Sequence, residues 1–334
     1  QSVEEEVEAE VETTVEESVE QIVETSAEVQ VAETVEERFE NQIDDILEDL
    51  ESDLEVDEAR IQREQWLVMA EPKVFDELTK KGYLFDTVTD LPALGMRLAE
   101  VAGPSSFDIT EVRQGVLDVV GKDRAEVDLN HIYTAGTELA SLDKGVAPRA
   151  AIKMPEPEQA TAATPRIGMI DSQVDVSHPS LADARIESRS FVAKGAELPE
   201  FHGTAIASII AANDGDYQGL MPNAELYAAA VFEQDAERGE IASTVSLLRA
   251  LDWLISSEVD VVNISLAGPP NRLLEAALKR ASEQDVLVMA AAGNGGPVAQ
   301  PMYPAAYETV VAVTAVVEGH QVFRLANRGR YLDI

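Results

Sequence analysis

The sequence predicts an α/β protein with a doubly wound, mostly parallel sheet, preceded by a small α+β domain and an acidic N-terminal arm, helical or disordered. Three observations predict it. From residue 165 onward, short apolar runs alternate with amphipathic stretches, the order of a strand–helix–strand chain. Several runs, such as Val286-Leu287-Val288-Met289, are apolar without alternation, as in strands covered on both faces of a parallel sheet. The charge is uneven: the chain carries 63 Asp+Glu against 25 Lys+Arg, a net of −38, and residues 1–60 alone hold 24 acidic residues against two Arg.

In that arm apolar residues recur every four positions, from Val3, Val7 and Val11 through Ile43 and Leu47. A strict four-residue repeat drifts by about 40° per step on an α-helix, so its stripe winds around the helix and forms no seam. Valine is a modest helix former, and glutamates four apart repel. The first half of the arm therefore reads as low-complexity and largely disordered. From 36 to 54 the pattern tightens: Phe39, Ile43, Ile46, Leu47, Leu50 and Leu54 share one face, which predicts an amphipathic helix. So acidic a surface excludes nucleic acid as a partner, since phosphate recognition needs clustered Lys and Arg, and disfavours an anionic membrane. The chain contains no apolar run long enough for a membrane helix, so no membrane insertion is expected.

Residues 61–135 read as a domain of their own. Apolar runs at 65–70, 83–86, 96–101 and 125–133 predict strands. Pro72 suits the first turn of a helix that Gly82 ends, and Asp108 suits the N-cap of a helix reaching Val120. The resulting order, βαββαβ, is the split ferredoxin-like arrangement. Residues 136–164 read as a linker, the part from 141 onward rich in Ala, Pro and Glu and without periodicity. Beyond it, strands are expected at 225–232, 259–265, 285–292 and 309–316, and helices at 241–257 and 272–284.

Chemistry enters at Arg166-Ile167-Gly168-Met169-Ile170-Asp171 and Phe201-His202-Gly203-Thr204. An aspartate closing an apolar strand stands where open α/β sheets place functional side chains. A histidine opening a helix of small residues supplies an imidazole that such a carboxylate orients, so that it takes a proton from a serine hydroxyl.

With Val262-Asn263-Ile264-Ser265-Leu266-Ala267-Gly268-Pro269, Ala290-Ala291-Ala292-Gly293-Asn294-Gly295-Gly296 and Tyr303-Pro304-Ala305-Ala306-Tyr307, these motifs occur in the order found in subtilisin-like serine proteases, and the segment from 165 to 334 resembles that family. The resemblance implies Asp171 and His202 as catalytic residues and Asn294 as a side-chain donor to the oxyanion. It implies Ser265, Leu266, Ala267, Gly268, Ala292 and Gly293 as the residues that bind substrate. It also implies that the domain at 61–135 is a propeptide, folding chaperone and inhibitor, whose C-terminal stretch Leu129-Asn130-His131-Ile132-Tyr133 leads into the cleft. Peptide or protein substrates and the chain's own propeptide domain are the expected partners.

The sequence departs from the family pattern in several places. Gln173 replaces a usual Gly, Ala205 a common His, and Ser208 a Gly. No metal site and no cofactor are assigned, although the family often binds calcium; the loop Asn213-Asp214-Gly215-Asp216-Tyr217-Gln218 is short where many relatives carry a calcium-binding excursion. The family's Gly-Thr-Ser motif, which carries the nucleophile, does not occur. The expectation is thus a fragment, ending before the serine, of a secreted or periplasmic bacterial serine endopeptidase in zymogen form. The alternative is a non-catalytic pseudoprotease that binds or inhibits through the same cleft. The absence of cysteine excludes disulfides and fits export.

Overall fold

The computed structural model describes residues 61–102, 109–135, 148–152, 164–214, 217–317 and 321–334. The acidic arm, the helix expected at 36–54, Asp108 and most of the expected linker lie outside them.

The small domain runs β1 (Ile61–Ala70), α1 (Pro72–Lys80), β2 (Phe85–Leu91), β3 (Met96–Val101), α2 (Ile109–Val120) and β4 (Ala125–Ala135), with strands ordered β4-β1-β3-β2 and antiparallel throughout. Pro72 opens α1, where a missing N–H costs nothing, and Gly82 at φ +94° follows its end. The strand expected at 83–86 lies further on. The Tyr83 amide bonds Leu78 O and closes the helix, and β2 then runs over polar residues to Leu91, with a bulge at Thr87. This strand is exposed along most of its length, which is why its composition reads as loop. On one face of the sheet Val68, Ala70, Ala99 and Val127 pack against Val74, Phe75, Leu78, Val116 and Val120 from the two helices.

Within the expected linker, Pro148–Ala151 form a short helix, α3, and Arg149 donates to Gly219 O and Leu220 O. The larger part continues with β5 (Arg166–Asp171), β6 (Arg185–Ser190), α4 (Phe201–Ala211), the hairpin β7 (Asn213–Asp214) and β8 (Tyr217–Gln218), β9 (Glu225–Ala230), β10 (Phe232–Asp235), β11 (Gly239–Ser243) and α5 (Thr244–Ser256). It ends with β12 (Val261–Ile264), β13 (Leu266–Ala267), α6 (Arg272–Glu283), β14 (Leu287–Ala291), β15 (Val310–Val313) and the hairpin β16 (Val316–Val317) and β17 (Gln321–Val322). Six strands form a parallel sheet ordered β15-β14-β12-β5-β9-β6. Ala207 and Ala211 of α4 pack with Ile167, Met169 and Leu226 in one cluster; α5 and α6 pack with Ile170, Val262 and Val288 in another. The sheet is thereby wound on both faces, as expected.

Two expected elements divide differently. The run 225–232 breaks at Val231: its first part stays in the parallel sheet, while Phe232–Asp235 pairs with β11. The helix expected from 241 begins at Thr244, because Ile241, Ala242 and Ser243 are strand, and Ser243 caps the helix by accepting from Ser246 N at 3.2 Å.

The two parts share a sheet and a core. β4 is flanked by β1 on one side and, towards its end, by β11 and β13, giving the strand order β10-β11-β4-β1-β3-β2. Leu67, Met69, Met96 and Leu98, on the second face of the small sheet, join one buried cluster with Leu247, Leu251, Leu274 and Leu278 of α5 and α6. The polar contacts across this seam are specific. Asp252 on α5 accepts from Leu94 N at 3.0 Å, Asp128 accepts from Arg272 N at 2.9 Å, and Arg280 donates to Leu94 O at 3.2 Å.

Candidate active site

Ile170, Ile264 and Ala290 are level across β5, β12 and β14, so Asp171, Ser265 and Ala291 begin one common carboxyl edge. There the Asp171 carboxylate is fully buried, and its Oδ1 accepts from Ser172 N and meets His202 Nδ1, each at 2.7 Å. His202 itself is about a quarter exposed, with its side chain at 27 %. A carboxylate on Nδ1 fixes the tautomer with the proton there, which leaves Nε2 as the basic nitrogen.

The pair is framed by hydrogen bonds that tie the turn after β5 to the start of α4 and the residues before it. Gly203 N donates to Ser172 Oγ at 2.7 Å, Asp175 N to Thr204 Oγ1 at 2.9 Å, and Gln173 N to Pro199 O at 2.9 Å. A Cβ on Gly203 would collide with the carbonyl oxygens of Ser172 and Gln173, so only glycine lets α4 approach this closely. Gln173 takes no left-handed conformation, so the residue that replaces a family glycine is accommodated without strain. His178 accepts from Ser180 N at 3.3 Å and caps a short 3-10 turn.

The remaining predicted residues follow the same edge. Leu266 and Ala267 form β13 and pair antiparallel with Ala135 and Thr134. On the other side of the same segment, Ser243, Ala242 and Ile241 pair with Ile132, Tyr133 and Thr134. The chain's own stretch Ile132–Ala135 therefore lies as an extended strand between β11 and β13. Gly268 is engaged elsewhere, exchanging two backbone bonds of 2.9 Å with Tyr303. The Ser265 hydroxyl bonds Asn263 Nδ2 at 2.8 Å. Ala292, Gly293 and half-buried Asn294 begin the loop after β14, where Gly293 has φ +97°.

Sequence reasoning named Tyr133 but missed three further residues that shape this region. Tyr133 is fully buried at the end of β4. Asn271 caps α6, donates to Leu129 O at 2.9 Å and meets His131 Nδ1 at 3.0 Å. Asp252 holds the small domain, and Asn327, fully buried, bonds the loop around Asn294. Their long-range partners are 27 to 158 residues distant, which local pattern does not reveal. A Ser243 cap immediately before the apolar helix α5 was the one signal available for β11. Among the described residues no three or more His, Asp or Glu gather where they could hold a metal ion. No helix among them is long and apolar enough to cross a membrane.

A doubly wound parallel sheet with an Asp–His pair on its carboxyl edge is the frame of a nucleophilic hydrolase. The chain belongs to the subtilase family, whose model matches residues 163–334. It is 35 % identical over 167 residues to the minor extracellular protease Epr of Bacillus subtilis, covering 49 % of this chain and 25 % of that protein. It is 30 % identical over 182 residues to the major intracellular serine protease of the same organism (51 % and 56 %) and 33 % identical over 183 residues to its subtilisin E (52 % and 46 %). The chain thus spans between a quarter and somewhat over half of these relatives. Among solved structures, fervidolysin from Fervidobacterium pennivorans, a keratinolytic enzyme related to subtilisin, shares the fold with a TM-score of 0.59 at 18 % identity, over 82 % of this chain and 46 % of that one. The epidermin leader peptide processing serine protease of Staphylococcus aureus does so at 0.56 and 17 %, over 80 % and 74 %.

Proposed function

We propose that this protein is a serine endopeptidase held in an inhibited form by its own small domain. The observation that carries the reading is the strand Ile132–Ala135, seated between β11 and β13 and running towards the edge where Asp171 meets His202. An extended peptide bound on both sides by backbone ladders is how a protease of this kind would hold substrate, with β-augmentation giving affinity and side-chain pockets giving selectivity. Here the chain supplies that peptide itself, as a propeptide would.

In the reaction, His202 Nε2 takes the proton of a serine hydroxyl as its oxygen attacks the scissile carbonyl. Asp171 stabilises the imidazolium, and Asn294 donates to the oxyanion. The proton then passes from His202 to the leaving amine as the C–N bond breaks, leaving an acyl-enzyme that water hydrolyses by the same steps. The serine belongs to the Gly-Thr-Ser motif that these 334 residues lack. Maturation is a cut beyond Ala135, in the stretch that joins the seated strand to β5. Export is proposed from the extracellular relative and the cysteine-free composition; antibody detection in culture medium against cell lysate tests it, because another relative is named as intracellular.

The test is labelling of the full-length gene product with a fluorophosphonate, followed by sequencing of the N-terminus of the matured protein. Labelling at a serine that is lost in D171N and H202A, with a new N-terminus soon after Ala135, is expected. An unlabelled protein that still binds peptides would overturn the catalytic reading in favour of a non-catalytic binder.

A further inference from the structure

We infer that Asn327 is a positioning residue for Asn294; the inference rests on the proposed role of Asn294 as oxyanion donor. The loop after β14 carries glycine at 293, 295 and 296 and so has little stiffness of its own. Its conformation has to be imposed from outside, and Asn327 is placed to impose it. Asn327 Oδ1 accepts from Gly295 N at 2.7 Å, while Asn327 N donates to Gly293 O at 3.0 Å. Asn294 is therefore pinned on both flanks by one residue, Asn327, which lies 32 positions beyond Gly295.

The side chain is itself held. Its Nδ2 donates to Gln300 O at 3.3 Å, which fixes which end of the amide faces Gly295. A Cβ at Gly293 would come within 3.2 Å of Asn327 Nδ2, and one at Gly295 within 3.2 Å of Asn327 Oδ1, so the glycines make room for this contact. Asn327 has no exposed surface, and a buried amide is costly unless bonded. An apolar side chain would fill the same space more simply. Of its hydrogen bonds, those to Gly293, Gly295 and Gln300 fall on the stretch 293–300, and a further one reaches Tyr331. An oxyanion donor works only where charge develops, so the backbone that carries it must be held in place.

The test uses the full-length protein and a peptide nitroanilide, in a cycle of N294A, N327A and the double variant. N294A is expected to lower kcat by about 10²–10³-fold. N327A is expected to lower kcat by about 10- to 100-fold with KM within about two-fold, the effect of a small misplacement. Because Asn327 acts through Asn294, the double variant should be no slower than N294A alone. If N327A does not fold, N327S, whose hydroxyl is too short to reach Gly295, takes its place in the cycle. A kcat within about two-fold of wild type in N327A, or a double variant showing the full product of both losses, overturns the inference. An inactive wild type would instead sink the protease reading on which it rests.

Discussion

Tyr133 occupies the space that a side chain on Gly268 would need: a Cβ built there falls inside contact distance of the Tyr133 ring. Tyr133 is fully buried at the end of the small domain's last strand, and Gly268 follows the strand that pairs with it. The fit is one of shape, because the Tyr133 hydroxyl meets no partner and the Thr244 hydroxyl beside it is engaged by His131 N at 3.1 Å. Burial pushes the Tyr133 phenol well above its ordinary value, so it stays neutral.

This relationship predicts an order of effects. Y133A should cost about 3–5 kcal/mol, as for an aromatic removed from a packed site. G268A should cost about 1–3 kcal/mol through overpacking. Y133F should lie within about 1 kcal/mol of wild type, since the hydroxyl it removes has no partner. Urea unfolding, with amide exchange at Tyr133 and Thr134, measures all three; a Y133F penalty as large as that of Y133A would refute the shape argument.

Asp171 and His202 predict a larger effect on turnover than on stability. In the full-length enzyme D171N should leave the fold intact and lower kcat by about 10⁴-fold, because the amide favours the wrong imidazole tautomer. Steady-state kinetics alongside a thermal melt checks this; a loss of ten-fold or less would place the pair outside the reaction.

Gly203 predicts a failure of the same pair by steric means. Alanine at 203 would collide with two backbone carbonyls, of Ser172 and Gln173, neither of which can swing aside as a side chain can. G203A should destabilise by at least about 1–3 kcal/mol and part His202 from Asp171. A melting temperature and activity equal to wild type would contradict it.

Asp252 predicts a pH dependence of the seam. Burial, the largest influence, raises its carboxyl above the ordinary 3.8, against the lowering effect of the Leu94 and Ala93 amides. A carboxyl raised in the folded state binds its proton more tightly there than when unfolded. Its stabilising contribution is therefore complete below 3.8 and is lost as pH rises through the raised value. D252N keeps an acceptor for Leu94 N without the charge, so its stability relative to wild type should improve from acid to neutral pH. D252A leaves that buried amide unpaired and should cost about 1–3 kcal/mol. Urea unfolding across that range measures both, and a D252N difference independent of pH would count against the mechanism.

How much of this was legible in the sequence depends on the range of the interaction. The Asp171 strand, the small-residue helix behind His202 and the βαββαβ order are written in neighbouring residues, since strand period, caps and glycines act locally. β11 reads as helix in the sequence because Ile241 and Ala242 continue the apolar pattern of α5, and it is pairing with β10 and β4 that makes them a strand. Asn327 and Asp252 are one polar residue each among many, and burial singles them out only once distant segments meet. That Leu129–Tyr133 leads towards the cleft followed from resemblance; that Ile132–Ala135 pairs with Leu266 and Ala267 on one side and with Ile241 to Ser243 on the other is known only from the register.

A consequence follows from the shared sheet. Severing the backbone beyond Ala135 removes no rung of the ladders that hold β4, nor any of the apolar surface packed beneath it. Connectivity would be lost while the seated strand remained, so the silent state would outlive the nick that ends it. Its lifetime would then be a kinetic quantity, governed by how often the small domain opens far enough to be digested or to diffuse away. On that view the clock of this protein is wound in the packing of Leu67, Met69 and Leu98 against α5 and α6, far from the atoms that react.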